Sequence, residues 1–282
     1  VGPGLDGIVL PMVESREQIV AFDWLVGALE RERGMPAGGI DIIPIIETGK
    51  GIANARAIAG AGTRVKRMAF GAGDYTLDMN MEWTLAESEL EHARAEMAVA
   101  SRAAGLEAPI DTVWVHINDL EGLASSAKRA RQLGFQGKMC IYPPQVELVN
   151  RAFTPTEKEI AFARRVVAAF EKAEREGSSS IQLDGYFIDY PIVYKAQRTL
   201  DAARAATEPK SGSWLGGWSA GIGAVNNRPL RHAAVKLNGG GRNCRPRRNF
   251  FIASLRMRYS RCSGLNCSAV ERSPSKKAAI RR

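Results

Sequence analysis

The chain has 282 residues, 45% of them apolar and 24% charged, with 28 Gly, 13 Pro and four Cys. That composition excludes collagen-like, disulfide-scaffold and wholly disordered proteins, and the length suffices for one large α/β domain or two small ones. The net charge of +9 is unevenly held: residues 209–282 contain 16 Lys and Arg against the single acid Glu271, a balance of +15, which leaves −6 for residues 1–208.

Within the acidic body, short apolar runs with little alternation read as parallel strands covered on both faces. They are Gly7–Val13, Ile40–Glu47, Arg67–Gly73, Ile110–Val115 and Lys138–Pro143. Helical patterns lie between them at Ser15–Arg33, Ile52–Ala61, Leu85–Ala104 and Leu120–Leu133. A repeat of about 30 residues per βα unit is that of a (β/α)₈ TIM barrel. The glycine turn of a doubly wound dinucleotide fold is missing. Thr154-Pro155-Thr156-Glu157 reads as a capping box with Pro at the first helical position, opening a long amphipathic helix to about Glu176. A Gly-Ser linker (Gly177–Ser180), the run Leu183–Asp189 and a last helix, Ile192–Ala206, follow. Beyond Glu208 periodicity is lost, so the expected division is a partial barrel at 1–152, a helical lid segment at 153–207 and a basic low-complexity tail at 208–282, outside the fold.

No apolar run reaches the roughly 18–20 residues of a membrane-spanning helix. The opening Val-Gly-Pro-Gly shows neither an initiator Met nor an export leader, which suggests a fragment. One body cysteine, Cys140, against three in the tail fits a reducing cytoplasm.

Polar residues at the C-terminal ends of barrel strands mark the face where such folds do chemistry. Glu47 closes an apolar strand before Thr48-Gly49, and Asp74 ends the next after Gly71-Ala72-Gly73, whose small residues let a ligand approach the backbone. Two carboxylates on adjacent strand ends suit Mg²⁺, which takes one or two protein carboxylates and fills its octahedron with substrate and water. The plainer alternative is that each carboxylate only caps a neighbouring helix. Glu47, Asp74, Asp111 or its neighbours, and Pro143 are expected on one rim.

Six segments carry a family resemblance: DGIVLPMVES, IIPIIETGKGIANA, MAFGAGDYTLDM, PIDTVWVHINDLEGL, GKMCIYPPQ, and the span from NRAFTPTEKEIAFARRVV to FIDYPIVYKAQRTL. In this order, over residues 5 to about 206, the chain resembles the HpcH/HpaI aldolase and citrate lyase β-subunit family. The resemblance implies a TIM barrel that binds Mg²⁺ through Glu47 and Asp74, with Glu47, Gly73 and Pro143 at the substrate. It also implies that Asp189, in Gly185-Tyr186-Phe187-Ile188-Asp189-Tyr190-Pro191, works as acid/base on a neighbouring subunit's site in a trimer or hexamer. The implied reaction is cleavage of a 3-hydroxy-acyl-CoA of the citramalyl, malyl or citryl type to a 2-oxo acid and an acetyl-CoA-like thioester. Thioesterase or class II 2-oxo acid aldolase activity is the alternative within the family. Met12 stands where the family often has Lys, and Tyr142 where it usually has His. Only the last five of eight strands are matched, so this copy is expected to be inactive and poorly soluble by itself.

Other signals carry less. Gly49-Lys50-Gly51 lacks the remaining residues of a phosphate loop, with Pro44 at the first glycine position. His116 reads as a satisfied structural histidine, and His92 with Glu89, Glu91 and Arg94 as a solvated helix face. Trp114 and Met97 read as core. Cys244, Cys262, Cys267 and His232 have no zinc spacing. Arg242–Arg248 and Arg256–Arg261, interleaved with Phe250, Phe251 and Tyr259, would suit a nucleic acid. A frame-shifted reading of a GC-rich gene accounts better for so aperiodic a tail, and nucleic acid is disfavoured as a partner.

Overall fold

The computed structural model describes residues 1–207 together with the short strands Val235–Lys236 and Asn249–Ile252. The chain begins with β1 (Leu5–Leu10), α1 (Arg16–Glu32) and β2 (Asp41–Ile46). Two short helices follow, α2 (Gly49–Ala53) and α3 (Ala55–Ala59), then β3 (Ala69–Phe70) and α4 (Ala72–Asp78). A 3-10 turn at Ser88–Leu90 leads into α5 (Glu91–Ala103), β4 (Ile110–Asp111), α6 (Leu120–Gln132), β5 (Gly137–Cys140) and α7 (Gln145–Phe153). The C-terminal elements are α8 (Glu157–Arg175), β6 (Ile181–Leu183), β7 (Tyr186–Ile188) and α9 (Tyr190–Thr207), with β8 (Val235–Lys236) and β9 (Asn249–Ile252) beyond them.

Strands β1 to β5 pair in parallel, each with its successor, so the sheet order follows the chain order. This is a curled half-barrel of βα units, in agreement with the expected fold class. The described strands do not close it: β8 lies parallel to β5 at one edge and β9 parallel to β1 at the other. The expected exclusion of 208–282 from the fold falls mostly outside the described residues.

Strand alternation separates two apolar layers. Val9, Ile43, Ile45, Ala69, Ile110 and Met139 pack together on one face of the sheet. Ile8, Ile42, Ile46, Phe70 and Cys140 join the helices in the larger core. The helices show why they begin where they do. Ser15 caps α1 by accepting from the Gln18 N–H, while Gln18 Oε1 accepts from the Ser15 N–H at 3.0 Å. On α8 the capping box is Thr156 with Glu159, two residues later than the sequence pattern placed it, with Pro155 just outside the helix. Both registers read Thr-x-x-Glu or nearly so, and the observed one leaves the Thr154 hydroxyl free to donate to the Asn150 carbonyl that ends α7.

The C-terminal elements have a core of their own, built from Ala163, Val166, Phe170, Ile188 and Ala196. The run Leu183–Asp189 forms half of a hairpin, β6 antiparallel to β7, turning through Asp184 and Gly185 at φ of +51° and +82°. Those values at both turn positions are those of a type I′ turn, which favours Asp-Gly.

Candidate functional site

The ends of β2 and β3 bring two carboxylates together. Glu47 follows β2 directly and is 7% exposed. Its Oε1 accepts from the Met12 N–H at 2.7 Å, in the turn that leaves β1. Met12 holds that N–H in place at φ of +55°, a left-handed conformation that a residue with a β-carbon enters only at a cost. Asp74 lies within hydrogen-bonding reach of Glu47 and adds a like charge beside it. Burial first, and the Asp74 carboxylate further, push the Glu47 carboxyl up to about 7, against the opposing pull of the Met12 N–H.

Asp74 does not end a strand as expected. β3 stops at Phe70, and Asp74 sits in the first turn of α4. The chain passes between them through Gly71, where a β-carbon would lie 2.5 Å from Glu47 Oε2 and 2.7 Å from Glu47 Cβ. A glycine is therefore what permits Glu47 to occupy its place. Gly73 is exposed on the same turn, as the reading of an open backbone there requires.

Of the other expected rim residues, Pro143 is exposed in the turn after β5. Asp111 is not available at the rim: it is 0% exposed, with Oδ1 and Oδ2 accepting from Arg94 at 2.9 and 3.0 Å, and Oδ2 from Lys138 Nζ at 2.7 Å. Burial by itself would raise its carboxyl, and these two cations together outweigh that and hold it below the usual carboxylate range. Its neighbour Thr112 takes the place on the site side, accepting the Ala72 N–H on Oγ1 at 2.8 Å. Asp189 stands at the start of α9, where its Oδ1 accepts from the Ile192 N–H at 3.4 Å and its carbonyl from the Val193 N–H. The structure thus brings Glu47 and Asp74 together, while Asp189 follows Ile188 of the separate C-terminal core and its hydrogen bonds go to α9.

Arg94 corrects the reading of its helix as a solvated face. It is buried on the stripe of α5 that carries Met97 and continues from Leu90 in the preceding 3-10 turn, and its Nη2 also donates to Glu87 Oε2 at 2.9 Å. Ser126 on α6 donates to the same Glu87 oxygen at 2.7 Å. Helical spacing from Leu90 and Met97 could have revealed that burial; the partners, far apart in sequence, could not. His92 is exposed, as read. His116 is exposed too, edge-on to Trp114 at a ring distance of 5.4 Å, so it is not a buried structural histidine. Trp114 and Met97 are core. The loop of Val115, His116, Ile117, Asn118 and Asp119 borders an open cavity of about 590 Å³. The tail cysteines, His232 and the basic clusters lie outside the described residues, apart from Phe250 and Phe251 in β9.

The donor set fits a hard divalent cation. Among the described residues no three His, Cys, Asp or Glu side chains gather. Two adjoining carboxylates, one of them raised toward neutrality chiefly by burial and further by the other's charge, offer oxygens to a hard divalent cation such as Mg²⁺, whose shell substrate and water would complete. No helix among the described residues is long and apolar enough to cross a membrane.

Comparison with known proteins places this geometry in context. The HpcH/HpaI aldolase/citrate lyase family model matches residues 1–143. Citrate lyase subunit beta of Leuconostoc mesenteroides subsp. cremoris is 40% identical over 205 residues, 73% of this chain and 68% of that protein. The L-malyl-CoA/beta-methylmalyl-CoA lyase of Cereibacter sphaeroides is 32% identical over 213 residues, 70% of this chain and 66% of that protein. Among solved structures, the protein CitE of Mycobacterium tuberculosis in complex with magnesium, acetoacetate and coenzyme A is 27% identical, with a TM-score of 0.57 over 71% of this chain and 68% of that one. A citrate lyase from Burkholderia xenovorans shares the fold, with a TM-score of 0.63 over 73% of this chain and 66% of that one at 22% identity. The chain spans about two thirds of the length of these relatives.

Proposed function

This chain belongs to the HpcH/HpaI aldolase/citrate lyase family, whose relatives named above are lyases, and from that premise we propose that it is the Mg²⁺-dependent part of a carbon–carbon lyase acting on a 3-hydroxy-acyl-CoA of the citramalyl, malyl or citryl type. The observation that carries the reading is the pairing of Glu47, at the end of β2, with Asp74, in the first turn of the helix after β3, with Gly71 leaving room for the Glu47 carboxylate. When bound there, Mg²⁺ supplies a Lewis acid for the charge developing on the 2-oxo acid product and a template for its carboxylate. The protein's own part is to hold the two carboxylates: the Met12 N–H fixes Glu47, and the first turn of α4 carries Asp74. Gly73 and Pro143, both exposed on the turns after β3 and β5, contact the substrate.

In the cleavage direction the substrate 3-hydroxyl gives its proton to a base, and C3 becomes the carbonyl of the 2-oxo acid as the C2–C3 bond breaks. The electron pair left on the thioester α-carbon takes up one proton, so the proton count is unchanged. Asp189 of a neighbouring subunit is the group assigned to that proton. In its own chain it caps α9, in a segment whose core is separate from that of the sheet. The same reading divides the chain into a partial barrel at 1–152 and a lid segment at 153–207.

The test is turnover of malyl-, citramalyl- and citryl-CoA with Mg²⁺ by this chain fused to the three N-terminal βα units of a related lyase. Cleavage by the fusion that is lost in both Glu47→Gln and Asp74→Asn, with each variant still folded, is the expected result. Activity retained in both variants at saturating Mg²⁺ would remove the metal pair from the reaction.

A further inference from the structure

Resting on the metal-pair reading above, we propose that Thr112 is the positioning residue of the site, preorganising Asp74 opposite Glu47 by capping the helix that carries it. α4 has only seven residues, too few to persist unaided, so the placement of Asp74 must come from tertiary anchors. Gly71, at the N-cap, has no side chain to satisfy the first helical N–H groups. Thr112, 40 residues further along the chain, supplies what is missing: its Oγ1 accepts the Ala72 N–H at 2.8 Å in a buried setting.

Other contacts hold the same stretch. Ala72 and Tyr75 pack in the larger core, and the Thr76 hydroxyl donates within the helix to the Ala72 and Gly73 carbonyls at 2.8 and 3.0 Å. Two further N–H groups are paired in settings that differ. The Gly71 N–H donates to the Ile46 carbonyl at 3.0 Å, which fixes the end of β3 but not the turn beyond it. The Gly49 N–H donates to Asp78 Oδ2 at 2.8 Å at the far end of α4, in an exposed position where water replaces it at little cost. Losing the Thr112 acceptor is different, because a buried N–H is left without a partner. Thr112 is itself held firmly. It follows Asp111, whose carboxylate is gripped by Arg94 and Lys138, all three side chains being 0% exposed. A rigid ionic cluster on the helix side of the sheet thereby fixes a hydroxyl that sets the metal side.

If the hydroxyl is removed, α4 spends less of its time in the turn that presents Asp74. The apparent dissociation constant for the metal then rises in inverse proportion to the competent fraction. The experiment uses the full 282-residue chain and Mn²⁺ as the probe, followed by electron paramagnetic resonance, with Glu47→Gln as the control that defines the site. Thr112→Val, which keeps the shape and removes the acceptor, is expected to bind Mn²⁺ about tenfold more weakly than the parent. Thr112→Ser, which restores the acceptor, is expected to bind within about threefold of it. A Thr112 serving only the stability of the sheet would lower the melting temperature of Thr112→Val and leave the affinity of the folded protein unchanged; that result overturns the proposal while the metal reading stands. A parent chain with no Mn²⁺ binding sensitive to Glu47→Gln brings down the metal reading and the proposal with it. Should Thr112→Val fail to fold, amide exchange in the metal-free parent decides. An Ala72 N–H protected like the strand amides supports the capping role, and one exchanging at the rate of an open loop overturns it.

Discussion

Gly71 and Asp111 show how much a single residue carries here. At Gly71 the nearest atoms to an added β-carbon include the Glu47 Cβ, which the backbone holds, and not only the tip of a flexible chain. Gly71→Ala should therefore push Glu47 off the Met12 N–H, lowering stability by about 1–3 kcal/mol and weakening Mn²⁺ binding together. Urea unfolding and metal titration of the same sample check both, and a variant unchanged in either would show that the turn can shift without loss. Asp111 makes a prediction in pH. Its folded-state carboxyl titrates below the usual 3.8, so its contribution is present above that value and is lost as pH falls toward the folded one. Asp111→Asn leaves Arg94 and Lys138 buried with Glu87 as the remaining anion, a change expected to cost about 3–5 kcal/mol at pH 7. The stability gap between parent and variant should then narrow as urea unfolding is repeated from pH 5 down to pH 3. A gap constant over that range would mean that Asp111 is not the titrating partner.

At the scale of elements, much of the architecture was legible and the reasons for the exceptions are local. The five core strands and the helices α1, α6, α8 and α9 lie where apolar runs and helical periods put them, to within a few residues. By contrast, α5 begins six residues later than the pattern at Leu85–Ala104, and α7 was not anticipated. α4 was hidden because Gly71-Ala72-Gly73 reads as the small-residue end of a strand, and the Thr112 hydroxyl that meets its first turn comes from just beyond β4, 40 residues away. The pairing of Glu47 with Asp74 could be anticipated from their strand-end spacing. The cluster of Glu87, Arg94, Asp111 and Lys138 could not, since no local pattern joins a loop residue to α5, β4 and β5. The capping of α8 allows a direct check of register. Thr156→Ala should lower stability by about 1 kcal/mol, and Thr154→Ala, whose hydroxyl donates at the exposed end of α7, by less than half of that. The reverse order in thermal unfolding would restore the earlier register.

For the molecule as a whole, the open sheet sets the limits of what the chain can do. Strands β1 and β5 meet only the short β9 and β8 at the edges, so the five-stranded half-barrel is not closed by the described residues. On the outer side of α1, Trp24 is 68% exposed, beside the exposed Val20 and Leu25, an apolar surface that a closed barrel would cover with another helix. The unfused chain should accordingly bind Mn²⁺ at Glu47 and Asp74 yet leave malyl-, citramalyl- and citryl-CoA uncleaved. Clear turnover by it would show that the half-barrel suffices for catalysis.

The order of the strands also bears on how the protein is made. Within β1 to β5, each of β2 to β5 pairs with the strand synthesised just before it and so finds a sheet partner already out as it leaves the ribosome, whereas β9 and β8 reach β1 and β5 only much later. The buried ionic cluster is the exception to this piecewise assembly. Glu87, Arg94 and Asp111 emerge first and together carry one excess negative charge, which Lys138 cancels only when β5 has cleared the exit tunnel. Arrested nascent chains ending within α6 should therefore remain protease-sensitive across 85–115 and become resistant together once Lys138 has emerged, so that β5 acts as the latch on everything translated before it.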